Sequence, residues 1–276
     1  MADVNTSSAS EPSTKETVLD QIVSVVGEHV LDTVPPTSTP ITQPTIPVPP
    51  STPADDDFIP LCITQKPMPT ALRDSKNKNI SAIMVSLDHE IPRWVPGSVL
   101  KWVVIKEGFK TPADADFAAQ ELHKACQKWN ELNVGVTFEW VSDPGAATFA
   151  LWHGGTQGNV VASAFFPNPN DLSMMLVYNP AFSIPKFRTD LWKVFMHELG
   201  HVMGLRHESA LDEDGKNTEG FAAVQLGPRN EKSVMTTYRR QPPGVQESDV
   251  ESTRAFYALE DGAMIGLTPV QDYIPM

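Results

Sequence analysis

Six residues of this 276-residue chain have the types and spacing to do chemistry together: His197, Glu198, His201, Gly204, His207 and, further on, Met235. On a helix, His197 and His201 are one turn apart, about 6 Å along the axis and about 40° around it. Both imidazoles can therefore point at one ion at the Zn–N distance of about 2.0–2.1 Å. Glu198 lies beside that face, where it can address a water without being a ligand. His207 decides more. On a continuous helix it would sit about 15 Å beyond His197 and on another side. It can join the site only if the helix stops, and Gly204 permits the stop by taking the left-handed conformation at no Cβ cost. Three histidines leave a tetrahedral ion one open position, which is the signature of a catalytic zinc rather than a structural one.

His-Glu-x-x-His alone is a modest signal, because a solvated helix with two histidines at i, i+4 is ordinary. With Gly204 and His207 at fixed spacing, the stretch 197–207 resembles the metzincins, zinc peptidases that carry HExxHxxGxxH followed by a Met-turn. Every fixed position is filled. Ser233-Val234-Met235 matches the Met-turn, with Met235 the methionine expected beneath the metal. Several families of the clan place a tyrosine two residues later as a further zinc ligand. Thr237 stands there in this chain and Tyr238 one position on, so Tyr238 is the candidate fifth ligand or transition-state contact. The resemblance implies a zinc-dependent endopeptidase in which Glu198 is the general base for a zinc-activated water. It implies one catalytic Zn2+, a protein or peptide substrate, and substrate binding in extended form along residues 160–166. Glu208, directly after the third histidine, is shared with the astacin branch, where it serves structure. The alternative from another class is a catalytically silent zinc-binding module that recruits protein partners through its tail.

Elements that could position these residues follow in order. Residues 100–105 read as a strand. Thr111-Pro112-Ala113-Asp114 opens a helix to Leu132 with Thr as N-cap and Pro at the first position. Phe117, Ala118, Leu122, Ala125, Cys126 and Trp129 recur at core spacing along it. Cys126 on that face is expected to be a buried structural thiol. Residues 136–140, 147–151, 160–166 and 174–178 read as four strands, and the zinc helix as 189–203. Ser248-Asp249-Val250-Glu251 reads as a capping box opening a last helix to Leu259. This order matches the family topology over residues 98–262. The fold class expected is α+β: a twisted mixed sheet with a backing helix and a zinc helix, then a small C-terminal subdomain with Met-turn and terminal helix.

Charge is uneven. The net charge is −13, but residues 1–60 carry nine acids against Lys15 alone, leaving 25 acids and 20 bases for residues 61–276. A basic footprint for nucleic acid or anionic lipid is absent, so neither partner is expected. Cys62 and Cys126 are too few for a disulfide framework. No apolar run reaches the roughly 18–20 residues of a membrane span. The first residues lack the basic and apolar regions of a signal peptide, so a cytoplasmic, monomeric protein is expected, with secretion by a non-classical route left open. His29, His89, His123 and His153 have no neighbour at ligand spacing and are expected to be ordinary. Asp212-Glu213-Asp214-Gly215 offers oxygens to Ca2+, but the twelve-residue loop pattern is not followed and a solvated acidic turn is expected.

The expected domains are an acidic Ser/Thr/Pro-rich disordered tail (1–60), an N-terminal extension or pro-like segment (61–97), and a catalytic domain (98–276) divided at residue 204. Ser13-Thr14-Lys15-Glu16 reads as a capping box for a transient amphipathic helix reaching Leu31. Nine of the 25 prolines fall between Pro35 and Pro60, which reads as an extended linker. Residues 61–64 and 80–85 are short strand-like runs. Cys62 has two readings: an inhibitory thiolate on the zinc, or a strand residue with a buried thiol.

Overall fold

The computed structural model describes residues 23, 32–36, 61–62, 90–211, 223–225, 229–237 and 244–276. The strand expected at 80–85, the acidic turn at 212–215, Tyr238, His29 and His89 lie outside them. So does the helix expected at 13–31, apart from Val23, which is helical.

The strands in chain order are β1 (Leu61–Cys62), β2 (Ile91–Trp94), β3 (Val99–Val104), β4 (Thr137–Trp140), β5 (Phe149–His153), β6 (Val160–Ser163), β7 (Ser173–Val177), β8 (Met264–Ile265) and β9 (Thr268–Tyr273). Two helices of three or more turns, α1 (Pro112–Leu132) and the later α4 (Leu191–Val202), flank two short ones, α2 (Pro180–Ser183) and α3 (Pro185–Thr189). The last helix is α5 (Glu247–Tyr257). The expected α+β architecture is present.

Six strands form one mixed sheet in the order β1-β6-β7-β5-β3-β4. β3 pairs parallel to both β4 and β5, β5 parallel to β7, and β6 antiparallel to β7. A parallel β3–β4 pair needs a crossover of a dozen residues or more, and α1 supplies it. Its start is as expected. Thr111 is extended and its side chain accepts the Asp114 N–H. Phe117, Leu122, Cys126 and Trp129 are buried along one stripe. Burial pushes the Cys126 thiol far up, which keeps it an inert core group.

α1 packs on α4 and fixes it at its start and its middle. The Trp129 indole N–H donates to the Met196 carbonyl at 3.0 Å, and the Glu121 carboxylate accepts the Trp192 N–H at 3.0 Å. A half-buried carboxylate at a helix N-terminus satisfies an otherwise orphaned amide. Sequence pattern placed α4 at 189–203. It is shorter because Pro180 and Pro185 each restart the chain as a separate short helix, and Asp190 breaks the run before Leu191.

Three boundaries differ from expectation. Asp32 and Val34 are not free tail. Val34 donates its N–H to the Val104 carbonyl, and the Lys106 N–H reaches the Asp32 carbonyl, with Thr33 bridged to Ile105. The reason is local: β4 ends at Trp140, opposite Trp102, so β3 and its continuation would otherwise present unpaired backbone groups there. Val34, 4% exposed, closes the core. Val34→Ala removes two carbons and is expected to lower the unfolding free energy by about 1.5 kcal/mol, at about 0.8 per methylene equivalent, read from urea titration.

Residues 91–97, read as part of an extension, are also integral. β2 pairs parallel to β9 over Ile91–Trp94, and Arg93 and Trp94 are buried. The third difference is the start of α5. Gln246, not Ser248, is the N-cap, and Asp249 is the reciprocal partner of its capping box. Asp249 is drawn there because its Oδ2 also accepts the Val234 N–H at 2.9 Å.

Candidate metal centre

α4 carries His197, Glu198 and His201 on faces that are all buried. Ten of its twelve residues are buried, so the helix must meet protein on nearly every side. The histidines are thereby held in a dry setting.

The helix ends as the motif requires. The Leu205 N–H returns to the Gly200 carbonyl at 2.9 Å and the Gly204 N–H to the His201 carbonyl at 2.8 Å. This is the paired bonding of a Schellman turn. Gly204 sits at φ +96°, and a Cβ there would approach the Pro92 carbonyl oxygen to 2.5 Å. Both backbone conformation and space therefore demand glycine. Gly204→Ala is expected to cost at least about 1–2 kcal/mol for the left-handed geometry alone and to weaken metal binding, because His207 hangs from this turn. Thermal unfolding with and without zinc reads both effects.

His197, His201 and His207 bring their ligating nitrogens within 4.8 Å of one another. The His207 Nε2 lies 3.1 Å from that of His197 and 3.2 Å from that of His201. Three nitrogens about 2.05 Å from a tetrahedral zinc would be about 3.3 Å apart. The spacing fits the ion.

Tautomers agree with this. A carbonyl only accepts, so the His197 Nδ1–H donates to Val234 O at 2.6 Å and the His201 Nδ1–H to Leu205 O at 2.8 Å. In the neutral rings Nε2 then keeps its lone pair, the form that binds metal. Burial, followed by the neighbouring His207 and His197, holds His201 well below the usual imidazole value. It is neutral at pH 7 and ready to ligate. Lone pairs converging this closely repel unless a cation joins them, and the donor set is therefore suited to zinc.

The turn after the histidines supplies the other wall. Ser233 to Thr236 closes on itself, with the Thr236 N–H on the Ser233 carbonyl and the Met235 N–H on the Ser233 hydroxyl. Met235 is buried, as expected of a Met-turn. Its sulfur lies where a Cβ on Gly200 would be. Glu208 links the segment after His207 to the turn at Met235. Its carboxylate accepts the Asn230 N–H at 3.3 Å, its own N–H donates to the Met235 carbonyl at 3.1 Å, and burial raises its pKa. It ties the third histidine to the Met-turn.

Several contributors were not foreseen. The Val234 and Leu205 carbonyls orient two of the rings, and Gly200 admits the methionine. Phe166 presents its ring edge to His201 at 5.7 Å between centroids, with the Arg206 guanidinium over it at 5.5 Å. Carbonyl roles have no side-chain signature. Gly200, a glycine inside a strongly apolar helix, did carry a signal.

Two expectations about neighbours change or hold. The resemblance implied that residues 160–166 receive the substrate, but Leu61–Cys62 pairs parallel to β6, Leu61 opposite Val160 and Cys62 opposite Ala162. The backbone at Cys62 thus follows the strand reading. His123 and His153 stay outside the cluster. His123 tilts against Trp102, and the His153 Nδ1–H donates to Gly108 O at 2.7 Å. Among the described residues, no helix is long and apolar enough to cross a membrane.

A family model agrees with the motif. Residues 104–248 match the reprolysin-type model of metallo-peptidase family M12. Over 102 residues the chain is 32% identical to stromelysin-3 of Rattus norvegicus, covering 33% of this chain and 20% of that protein. The chain thus spans about a fifth of the length of the curated relative it matches. Among solved structures, high choriolytic enzyme 1, a hatching enzyme zinc-protease from Oryzias latipes (medaka), is similar at a TM-score of 0.41 and 12% identity, covering 61% of this chain and 95% of that one.

Proposed function

This chain belongs to metallo-peptidase family M12, and from that membership we propose that it is a zinc-dependent endopeptidase with His197, His201 and His207 as ligands and Glu198 as general base. The observation that carries the reading is the convergence of three imidazole Nε2 atoms, two of them set by backbone carbonyls. Zinc in such a site supplies Lewis acidity, lowering the pKa of water toward about 7 and polarising a carbonyl. Glu198 takes the proton of the attacking water and returns it to the leaving amine. The water oxygen forms the new bond to the peptide carbon as the C–N bond breaks, so no side chain is acylated. Peptide hydrolysis assayed with and without a zinc chelator tests this. Activity that a chelator abolishes and zinc restores supports the proposal, whereas hydrolysis indifferent to the chelator overturns it.

Substrate would lie extended along β6, held by main-chain hydrogen bonds. Leu61–Cys62 occupies that edge and competes for it. Leu61→Pro/Cys62→Pro removes two backbone donors while leaving the Val34 anchor in place. At about 0.5–1.5 kcal/mol per hydrogen bond, kcat/KM on peptides is expected to rise roughly tenfold. Equal activity in variant and parent would show that the segment does not hinder substrate.

A further inference from the structure

The Schellman turn leaves two carbonyls over. Leu199, Gly200 and His201 give their oxygens to the amides of Met203, Leu205 and Gly204. Val202 and Met203, the last two residues before the turn, have no backbone donor within reach of that pattern. Two side chains from distant parts of the chain take them. The Trp94 indole N–H donates to Val202 O at 2.7 Å, and the Tyr257 hydroxyl donates to Met203 O at 3.0 Å. The Pro92 carbonyl leaves no room for a Cβ at Gly204, the third residue of the same turn. Residues 202 and 203 are thus held from outside, by β2 and the end of α5.

That outer frame is itself cross-linked. Arg93, fully buried, pairs with Asp272 of β9 at 2.7 Å and donates to the Phe256 and Leu259 carbonyls at the end of α5. Its guanidinium lies beside the Phe256 and Tyr257 rings. Burial pushes the Tyr257 phenol far up, so it remains a donor throughout the working pH range. Arg93 thereby links β2, β9 and the end of α5 against the end of α4.

We infer that Trp94 and Tyr257 are positioning residues for the metal centre, acting through the two carbonyls that set where α4 stops. The chain of contacts is short. Leu205, one residue past the glycine, orients His201 through its carbonyl, and His207 follows two residues later. A turn that can shift lets two of the three ligands drift, and metal sites lose affinity when the groups orienting their ligands are removed. The inference rests on the reading of the three histidines as zinc ligands.

Zinc affinity, measured on the full chain by competition with a chromophoric chelator, tests it without reference to peptidase activity. Tyr257→Phe and Trp94→Phe are each expected to weaken zinc about 3–10-fold, and together about 10–100-fold. With cobalt in place of zinc, the visible absorption bands should also change in position or intensity. Phe138→Leu, a buried residue of β4, is the control: it should lower the urea midpoint and leave zinc affinity within about twofold. Affinities for both tested variants within about twofold of the parent would overturn the inference. So would an equal loss in Phe138→Leu, which would reduce the effect to general destabilisation. Tyr257→Phe deletes a single oxygen and carries the test alone if Trp94→Phe does not fold. A parent chain that binds no zinc would instead remove the histidine reading.

Discussion

Glu198→Ala is expected to keep zinc and fold while losing about two to four decades of kcat/KM on peptides, the range for removing a positioned proton-transfer group. At 1.36 kcal/mol per decade this is roughly 3–5 kcal/mol of barrier. The separation of activity from metal content is the informative part. Glu198 neighbours His197 on α4 and is fully buried, yet it is not among the three converging ligands. Its loss should leave zinc stoichiometry unchanged by elemental analysis. Hydrolysis at the parental rate would remove Glu198 from the mechanism, and a parallel loss of zinc would make it a structural support of the site instead.

The second large effect is on the metal itself. His201→Ala/His207→Ala should take zinc from one per chain to near none after dialysis. A four-coordinate protein zinc site binds with an apparent free energy of about 10–16 kcal/mol. Sharing that over four ligands gives roughly 3–4 kcal/mol each, or about two to three decades of affinity per histidine. Two losses therefore exceed four decades. The backbone carbonyls that orient the rings cannot replace a nitrogen, because they accept the Nδ1 protons of His197 and His201 on the far side from the ion. Stoichiometric zinc in the double variant would place the metal elsewhere. The same variant should unfold at lower temperature than zinc-loaded parent but close to parent stripped of metal, since bound zinc stabilises only the folded form.

The N-terminal part of the chain is more structural than its composition suggests. A stretch rich in proline and acid contributes Val34 to the core and Leu61–Cys62 to the sheet edge beside the site. Residues 91–94 belong to the framework that holds the end of α4. Any processing that leaves this framework intact should therefore cut before Ile91.

The sequence by itself determined the local features. Four positions within eleven residues name the converging histidines proposed as ligands, because one helical turn and one glycine are all the geometry that His197, His201 and His207 need. The start of α1 was legible in Thr111 and Pro112, and the buried stripe in Phe117, Leu122 and Trp129, because caps and helical periodicity act over a few residues. What the tertiary structure decided is what joins distant segments. Val234 O orients His197 across 37 positions, and Tyr257 reaches Met203 across 54. Trp94 reaches Val202 across 108. A carbonyl is the same in every residue, so its use as an acceptor leaves no mark on residue type. Thr33 and Val34 look like linker because their partner is a vacancy beside β3, created where β4 ends. Such a vacancy exists only once the sheet is assembled.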